Sequence, residues 1–166
     1  YRNRLNFGML DITAGGAFDT NRESRYVNTF GNNVNSSGEY GLQGYIFGKG
    51  NFSLSQNWLA GANINLATSA NYMRDYRVPG YGSEMLNSNI FLEGYGTGSY
   101  ARVDAQAYQG LNQGVIQNSD LPWVLPRFTY AFQGQPDALG GRFSLNTTNF
   151  DVYRVNGVSD QRGQVQ

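Results

Sequence analysis

Residues 99–110 read Ser99-Tyr100-Ala101-Arg102-Val103-Asp104-Ala105-Gln106-Ala107-Tyr108-Gln109-Gly110, and their alternation decides the fold. Ala101, Val103, Ala105 and Ala107 take one parity, while Arg102, Asp104, Gln106 and Tyr108 take the other. Successive side chains on a strand point to opposite faces, so this segment is a strand with one mildly apolar and one polar face. A helix would scatter Arg102 and Gln106 among the alanines. The same period of two recurs in 57–68, where Trp58, Ala60, Ala62, Ile64 and Leu66 alternate with Gly61, Asn63 and Asn65. It recurs again in 85–95, where Leu86, Ile90 and Leu92 alternate with Asn87, Asn89 and Glu93. Less regular alternation marks 4–18, 39–54, 121–133 (Val124, Phe128, Tyr130 and Phe132 on one face) and 140–153 (Phe143, Leu145 and Thr147 on one face).

These segments predict about seven strands of 11 to 16 residues. Strands of globular proteins usually run about 5–6 residues, whereas a tilted strand crossing a bilayer takes roughly 9–11. Connection lengths agree. Ser55-Gln56, Gly96-Thr97-Gly98 and Gly134–Leu139 are short, and the stretches 19–38, 69–84 and 111–120 between them are longer. Short and long links in alternation put all short turns at one end of the sheet, as in transmembrane barrels. Trp58, Tyr95, Tyr100 and Phe132 flank the short turns, and Tyr72, Tyr76, Tyr81 and Trp123 gather toward the other end. Bilayer interfaces select two such bands, because these rings are apolar and their OH or NH groups seek water.

The faces themselves argue for lipid. A sandwich core would want Val, Ile, Leu and Phe at high density on the buried side. The cleanest face here carries Ala101, Val103, Ala105 and Ala107, and its reverse carries Arg102, Asp104 and Gln106, which need water or one another. A barrel with lipid outside and a wet lumen satisfies both. In hydrocarbon every backbone N–H and C=O must be paired internally, so the strands belong to a closed sheet, which takes at least about eight strands. The expected fold is therefore all-β: an antiparallel up-and-down transmembrane barrel, present as an incomplete segment spanning 1–166.

Composition removes competing classes. The chain has 166 residues, 12 basic and 12 acidic, with zero net charge and only 14% of positions charged. A polyanion binder wants a clustered basic excess, so no nucleic acid is expected. Glycine contributes 22 residues, asparagine 19 and glutamine 11, and no apolar run is long enough for a membrane-crossing helix. There is no Cys and no His, which removes thiolate and imidazole metal ligands, disulfides and the serine–histidine pair. Lys49, the single lysine, lies between Gly48 and Gly50 in a strand and reads as a lumen or interface residue rather than a base. Gly94-Tyr95-Gly96-Thr97-Gly98 precedes a strand and lacks a P-loop lysine, so it is a turn. No catalytic, metal or cofactor site is expected.

Trp58-x2-Gly61-x10-Tyr72-x-Arg74-x-Tyr76, followed in order by Leu125-Pro126, Tyr130, Gly140-Gly141 and Arg154-x2-Gly157-x4-Arg162, resembles the lipopolysaccharide-assembly outer-membrane protein family, LptD. Gly44-Tyr45-Ile46-Phe47-Gly48 and Glu93-Gly94 fit as well, so the resemblance spans roughly 40–164. It departs at one point: the family usually carries an Asp shortly before the Tyr72 equivalent, where this chain has Ser69-Ala70-Asn71. The resemblance implies a middle-to-early slice of a barrel in the Gram-negative outer membrane. On that resemblance the N-terminal periplasmic domain, the first barrel strands and the closing strands are expected to lie outside this segment. It also implies a role in delivering lipopolysaccharide from periplasmic bridge proteins to the outer leaflet, around a plug lipoprotein, LptE. The segment would supply barrel wall, lumen lining and outer loops in contact with outer-membrane lipids. Its polar inward candidates are Asn63, Asn65, Asn87, Asn89, Glu93, Arg102, Asp104, Gln106 and Arg142. Arg154 and Arg162 are expected to pair within the wall with acids such as Asp151 and Asp160. A diffusion porin or other nutrient barrel shares the physics without the ordered motifs, and a secreted β-rich adhesin module would have no lipid face.

Overall fold

The computed structural model describes residues 1–20, 24–27, 33–36, 41–111, 116 and 118–166. Nine antiparallel strands form one sheet: β1 (Arg2–Leu5), β2 (Gly8–Asp19), β5 (Gly41–Ser53), β6 (Trp58–Ala67), β7 (Met85–Gly96), β8 (Ser99–Gly110), β9 (Trp123–Gln133), β10 (Ser144–Tyr153) and β11 (Asp160–Val165). Each pairs with its neighbour in sequence, except that β2 pairs directly with β5. The hairpin β3 (Ser24–Val27) and β4 (Asn33–Ser36) interrupts the β2–β5 connection as a separate two-stranded sheet. The sheet is open, with β1 and β11 at its edges. An incomplete all-β antiparallel sheet is thus what the structure shows, with nine strands rather than about seven.

Two elements account for the difference. The stretch 4–18, read as one strand, is two: Leu5 faces Gly8 across an Asn6–Phe7 turn, and β1 folds back on β2. β11 has no apolar alternation and becomes a strand by pairing with Thr147–Val152 of β10. Two expected boundaries also move. The β9–β10 connection runs to Phe143, where the Gly134 N–H donates to the Phe143 carbonyl, so Gly140, Gly141 and Arg142 precede the strand. Between Asp104 and Gln106 the β8–β9 register slips, which places Val124 opposite Gln106 and off the face of Phe128, Tyr130 and Phe132. A bulge of this kind reverses parity for every residue beyond it.

The short links are tight for identifiable reasons. At the β7–β8 turn, Gly98 has φ +68, and a Cβ there would lie 2.3 Å from the Gln133 carbonyl oxygen. Only glycine accepts both the left-handed backbone and that approach. In the β9–β10 link the Asp137 carboxylate accepts from the N–H groups of Leu139 (2.9 Å) and Gly141 (2.7 Å), with Gly140 at φ +83. An aspartate that binds backbone amides two and four residues on builds a turn without strand pairing.

The one buried apolar cluster of the described residues sits at the opposite end, under the β6–β7 connection. Ser69 caps α1 (Ala70–Asp75), its Oγ accepting from the Tyr72 N–H at 3.1 Å. Serine is among the residues that fill this position best, because its short side-chain oxygen reaches an N–H of the first turn. The helix stops in a two-bond cap: Arg77, at φ +48, donates to the Arg74 carbonyl and Val78 to that of Met73. Val78 and Met73 then meet in the cluster with Ala67, Tyr72, Leu86 and Leu111. Tyr45, Phe47 and Ala17 of the sheet pack against it. Met73 is completely buried and Tyr72 only 6% exposed. Tyr72 therefore belongs to this core and not to an interfacial band, while Tyr76, Tyr81 and Trp123 remain exposed. Burial raises the Tyr72 hydroxyl above the ordinary tyrosine value, and Tyr45 and Tyr76 push it the same way.

Candidate functional site

Residues facing each other across an antiparallel pair share a face, so the register sorts every side chain of the sheet. On one face lie Leu66, Ile64 and Ala62 of β6, Ile90 and Leu92 of β7, Val103 and Ala101 of β8, and Phe128 and Tyr130 of β9. Leu66 (48%), Ile90 (54%), Val103 and Phe128 are exposed on this face, and the others are half-buried among their neighbours. The reverse face is polar, and the candidate site is built there.

Its centre is a charge network across β7, β8 and β9. Asp104 is 2% exposed. Its Oδ1 accepts from Arg102 Nε at 2.9 Å and Arg127 Nε at 3.0 Å, and its Oδ2 meets Arg127 Nη2 at 2.9 Å and Gln106 Nε2 at 3.1 Å. Arg102 Nη1 also donates to Glu93 Oε1. Tyr95 Oη donates to Glu93 Oε2 at 2.7 Å, and Tyr100 Oη to Oε1 at 3.2 Å. Tyr108 Oη extends the chain to Gln106 Oε1 at 2.9 Å. The Arg102 guanidinium lies 4.6 Å from the centroid of the Phe91 ring, and that ring covers Gly61, whose Cβ would otherwise meet it at 2.3 Å. Two cations and two anions leave the network neutral, and among the described residues no buried side-chain N or O lacks a partner. Such a closed network orders a face more than it binds a ligand.

The structure brings together Glu93, Arg102, Asp104 and Gln106 of the predicted inward residues and adds Arg127, which sequence reading missed. Its parity opposite Phe128 and Tyr130 was the available signal. Asn63 and Asn89 face each other on the same side, opposite Lys49 and Gln106 respectively. Asn65 and Asn87 lie where β6 and β7 separate. There Asn65 Nδ2 donates to the Asn87 carbonyl at 2.7 Å, and Ser88 Oγ accepts from the Asn65 N–H at 2.9 Å. Arg142 does not join them, being exposed in the β9–β10 connection.

The motif residues have separate structural duties. Trp58 lies over Gly94 on the apolar face, its ring 3.0 Å from where a Cβ of Gly94 would stand. Pro126, preceded by a cis peptide bond, falls inside the β8–β9 irregularity, and Tyr130 faces Ala101 and Thr147. In the β10–β11 turn, Arg154 Nη1 donates to the Val158 carbonyl at 3.0 Å and its side chain passes beside Gly157, at φ +125. Arg162 pairs with Asp160 at 2.7 Å, as expected. Arg154 takes a carbonyl rather than an acid, and Asp151 accepts from Gln161 Nε2 at 3.1 Å.

No curated protein matches the chain. A protein-family model described as LptD, LPS transport system D, matches residues 42–166. The match starts at the second residue of β5 and runs through every later strand of the sheet, taking in both the charge network and the motif turns. The chain belongs to the LptD family.

Proposed function

We propose that this chain is a stretch of the wall of a Gram-negative outer-membrane β-barrel through which lipopolysaccharide reaches the outer leaflet. The observation that carries the reading is the chemical opposition of the two faces: exposed Leu66, Ile90, Val103 and Phe128 on one, Glu93, Arg102, Asp104 and Arg127 on the other. Lipid suits the first and a wet lumen the second. Among the described residues the edges β1 and β11 lack partners, a state hydrocarbon does not tolerate, so further strands of the same barrel flank them. On this reading 1–166 is one part of a larger barrel domain, and the β6–β7 and β8–β9 connections are outer loops. The segment performs no catalysis. It meets lipopolysaccharide, the plug lipoprotein LptE and outer-membrane lipids, with periplasmic bridge proteins delivering the cargo.

Photo-crosslinkers at Asn65 or Gln106 of the full-length protein in intact cells test this. Capture of lipopolysaccharide or the plug lipoprotein is expected. Persistent failure at both positions removes the transport role from this segment and favours a porin-like wall. A chain that stays soluble, folded and monomeric without detergent would be an adhesin-like module instead.

A further inference from the structure

The polar face divides into two parts with different chemistry. Toward the β7–β8 turn, every charge is neutralised from within: Arg102 holds Glu93 and Asp104, and Arg127 holds Asp104. Beside this network runs one row of facing residues across four strands, Lys49, Asn63, Asn89 and Gln106. Among the described residues, the side chains of Lys49, Asn63 and Asn89 make no hydrogen bond or ion pair. The acid next in the row, Asp11, is engaged by Arg2 Nε at 2.8 Å and Nη2 at 2.6 Å. Phe47 and Phe91 lie in the flanking rows, two residues along their strands from Lys49 and Asn89.

We infer that this row is a contact strip for a phosphorylated saccharide, with Lys49 as the residue that selects for negative charge. Three strand spacings of about 4.8 Å make the row roughly 14 Å long. That length offers an ammonium at one end and two free carboxamides beside it. Each carboxamide donates and accepts, which matches the paired hydroxyls of a sugar. Of the three cations on the polar side of β5 through β9, Lys49 alone is in no ion pair, since Asp11 opposite it is held by Arg2, so it is the one with charge to offer a phosphate. Arg102 and Arg127, which a reader of the sequence would choose first, are already spent on Glu93 and Asp104. The inference rests on the lipopolysaccharide reading above and specifies where on the wall, and through which charge, the cargo is held.

The test places a photoreactive phenylalanine analogue in the full-length protein at Phe47 or Phe91 beside the strip, at Tyr100 within the neutral network, and at Phe128 on the apolar face. Purified protein in lipid nanodiscs is then offered lipopolysaccharide or its dephosphorylated form. Capture is expected at Phe47 and Phe91 above that at Tyr100. Lys49→Gln should lower capture of the phosphorylated form about tenfold, the worth of one charge-assisted hydrogen bond, and leave the dephosphorylated form unchanged. Lys49→Arg should restore it, which excludes misfolding as the cause. Equal capture at Phe47, Phe91 and Tyr100, or indifference to Lys49→Gln, overturns the strip while the transport reading stands. Absence of capture at all three polar-face positions overturns both.

Discussion

Asp104→Ala tests the central network most sharply. The carboxylate receives four contacts from three side chains, with two guanidiniums among them. Removing one partner of a buried ion pair costs about 3–5 kcal/mol, chiefly from the stranded opposite charge. Here the stranded groups are less confined: Arg102 keeps Glu93 and is 25% exposed, and the Arg127 side chain is 37% exposed. Hydration of Arg127 lowers the expected cost to about 2–3 kcal/mol. Urea unfolding of the full-length barrel, followed by its heat-modifiable mobility on gels, reads this directly. Asp104→Ala combined with Arg127→Met should cost clearly less than the two single changes added together, because the double variant leaves fewer orphan charges. A single-variant cost below about 0.5 kcal/mol, or strict additivity, would refute the claim that these residues act as one unit.

Val103→Arg, on the apolar face, should cost about 2–4 kcal/mol near the bilayer midplane, whereas Gln106→Arg on the reverse face should be tolerated; assembly yields in cells compare the two. Met73→Ala should cost about 2–5 kcal/mol from the only fully buried large side chain of the described residues. It should show as faster proteolysis within 69–84 while the strands stay protected. Gly98→Ala forces a side chain into φ +68 and onto the Gln133 carbonyl. It should destabilise the barrel by about 1–3 kcal/mol, read as a lower urea midpoint, and an unchanged midpoint would show that the turn relaxes freely.

How much was legible in the chain follows from which forces wrote its pattern. In β6, β7 and β8 the alternation of apolar and polar residues is strong enough to reveal the strands and their facing, although Leu59 and Phe91 fall on the polar side. β11 (Asp-Gln-Arg-Gly-Gln-Val) has no such contrast, because its strand state comes from hydrogen bonds to β10, a tertiary fact. The Asn6–Phe7 turn carries neither Gly nor Pro and hides inside an apolar stretch. The slip opposite Asp104 has one local mark, Pro126, which has no N–H to give the ladder and falls inside it, but that mark does not say that Val124 crosses the sheet. At the candidate site, parity identified Glu93, Arg102, Asp104 and Gln106 as one face. It could not reveal that they neutralise one another, because that depends on Arg127 arriving from β9. Tyr72 misled for a related reason. An aromatic at a strand end suits an interface, but the Ser69 cap turns the chain back and buries it.

The most direct measurement of the central claim is the environment of adjacent parities in the full-length barrel in lipid. A nitroxide at Ile90 or Val103 should be accessible to oxygen and shielded from a water-soluble nickel chelate, and one at Asn89 or Gln106 should show the reverse. Chelate access at Ile90 and Val103, or no difference between neighbouring positions, would contradict a sheet wetted by hydrocarbon on one face and by water on the other.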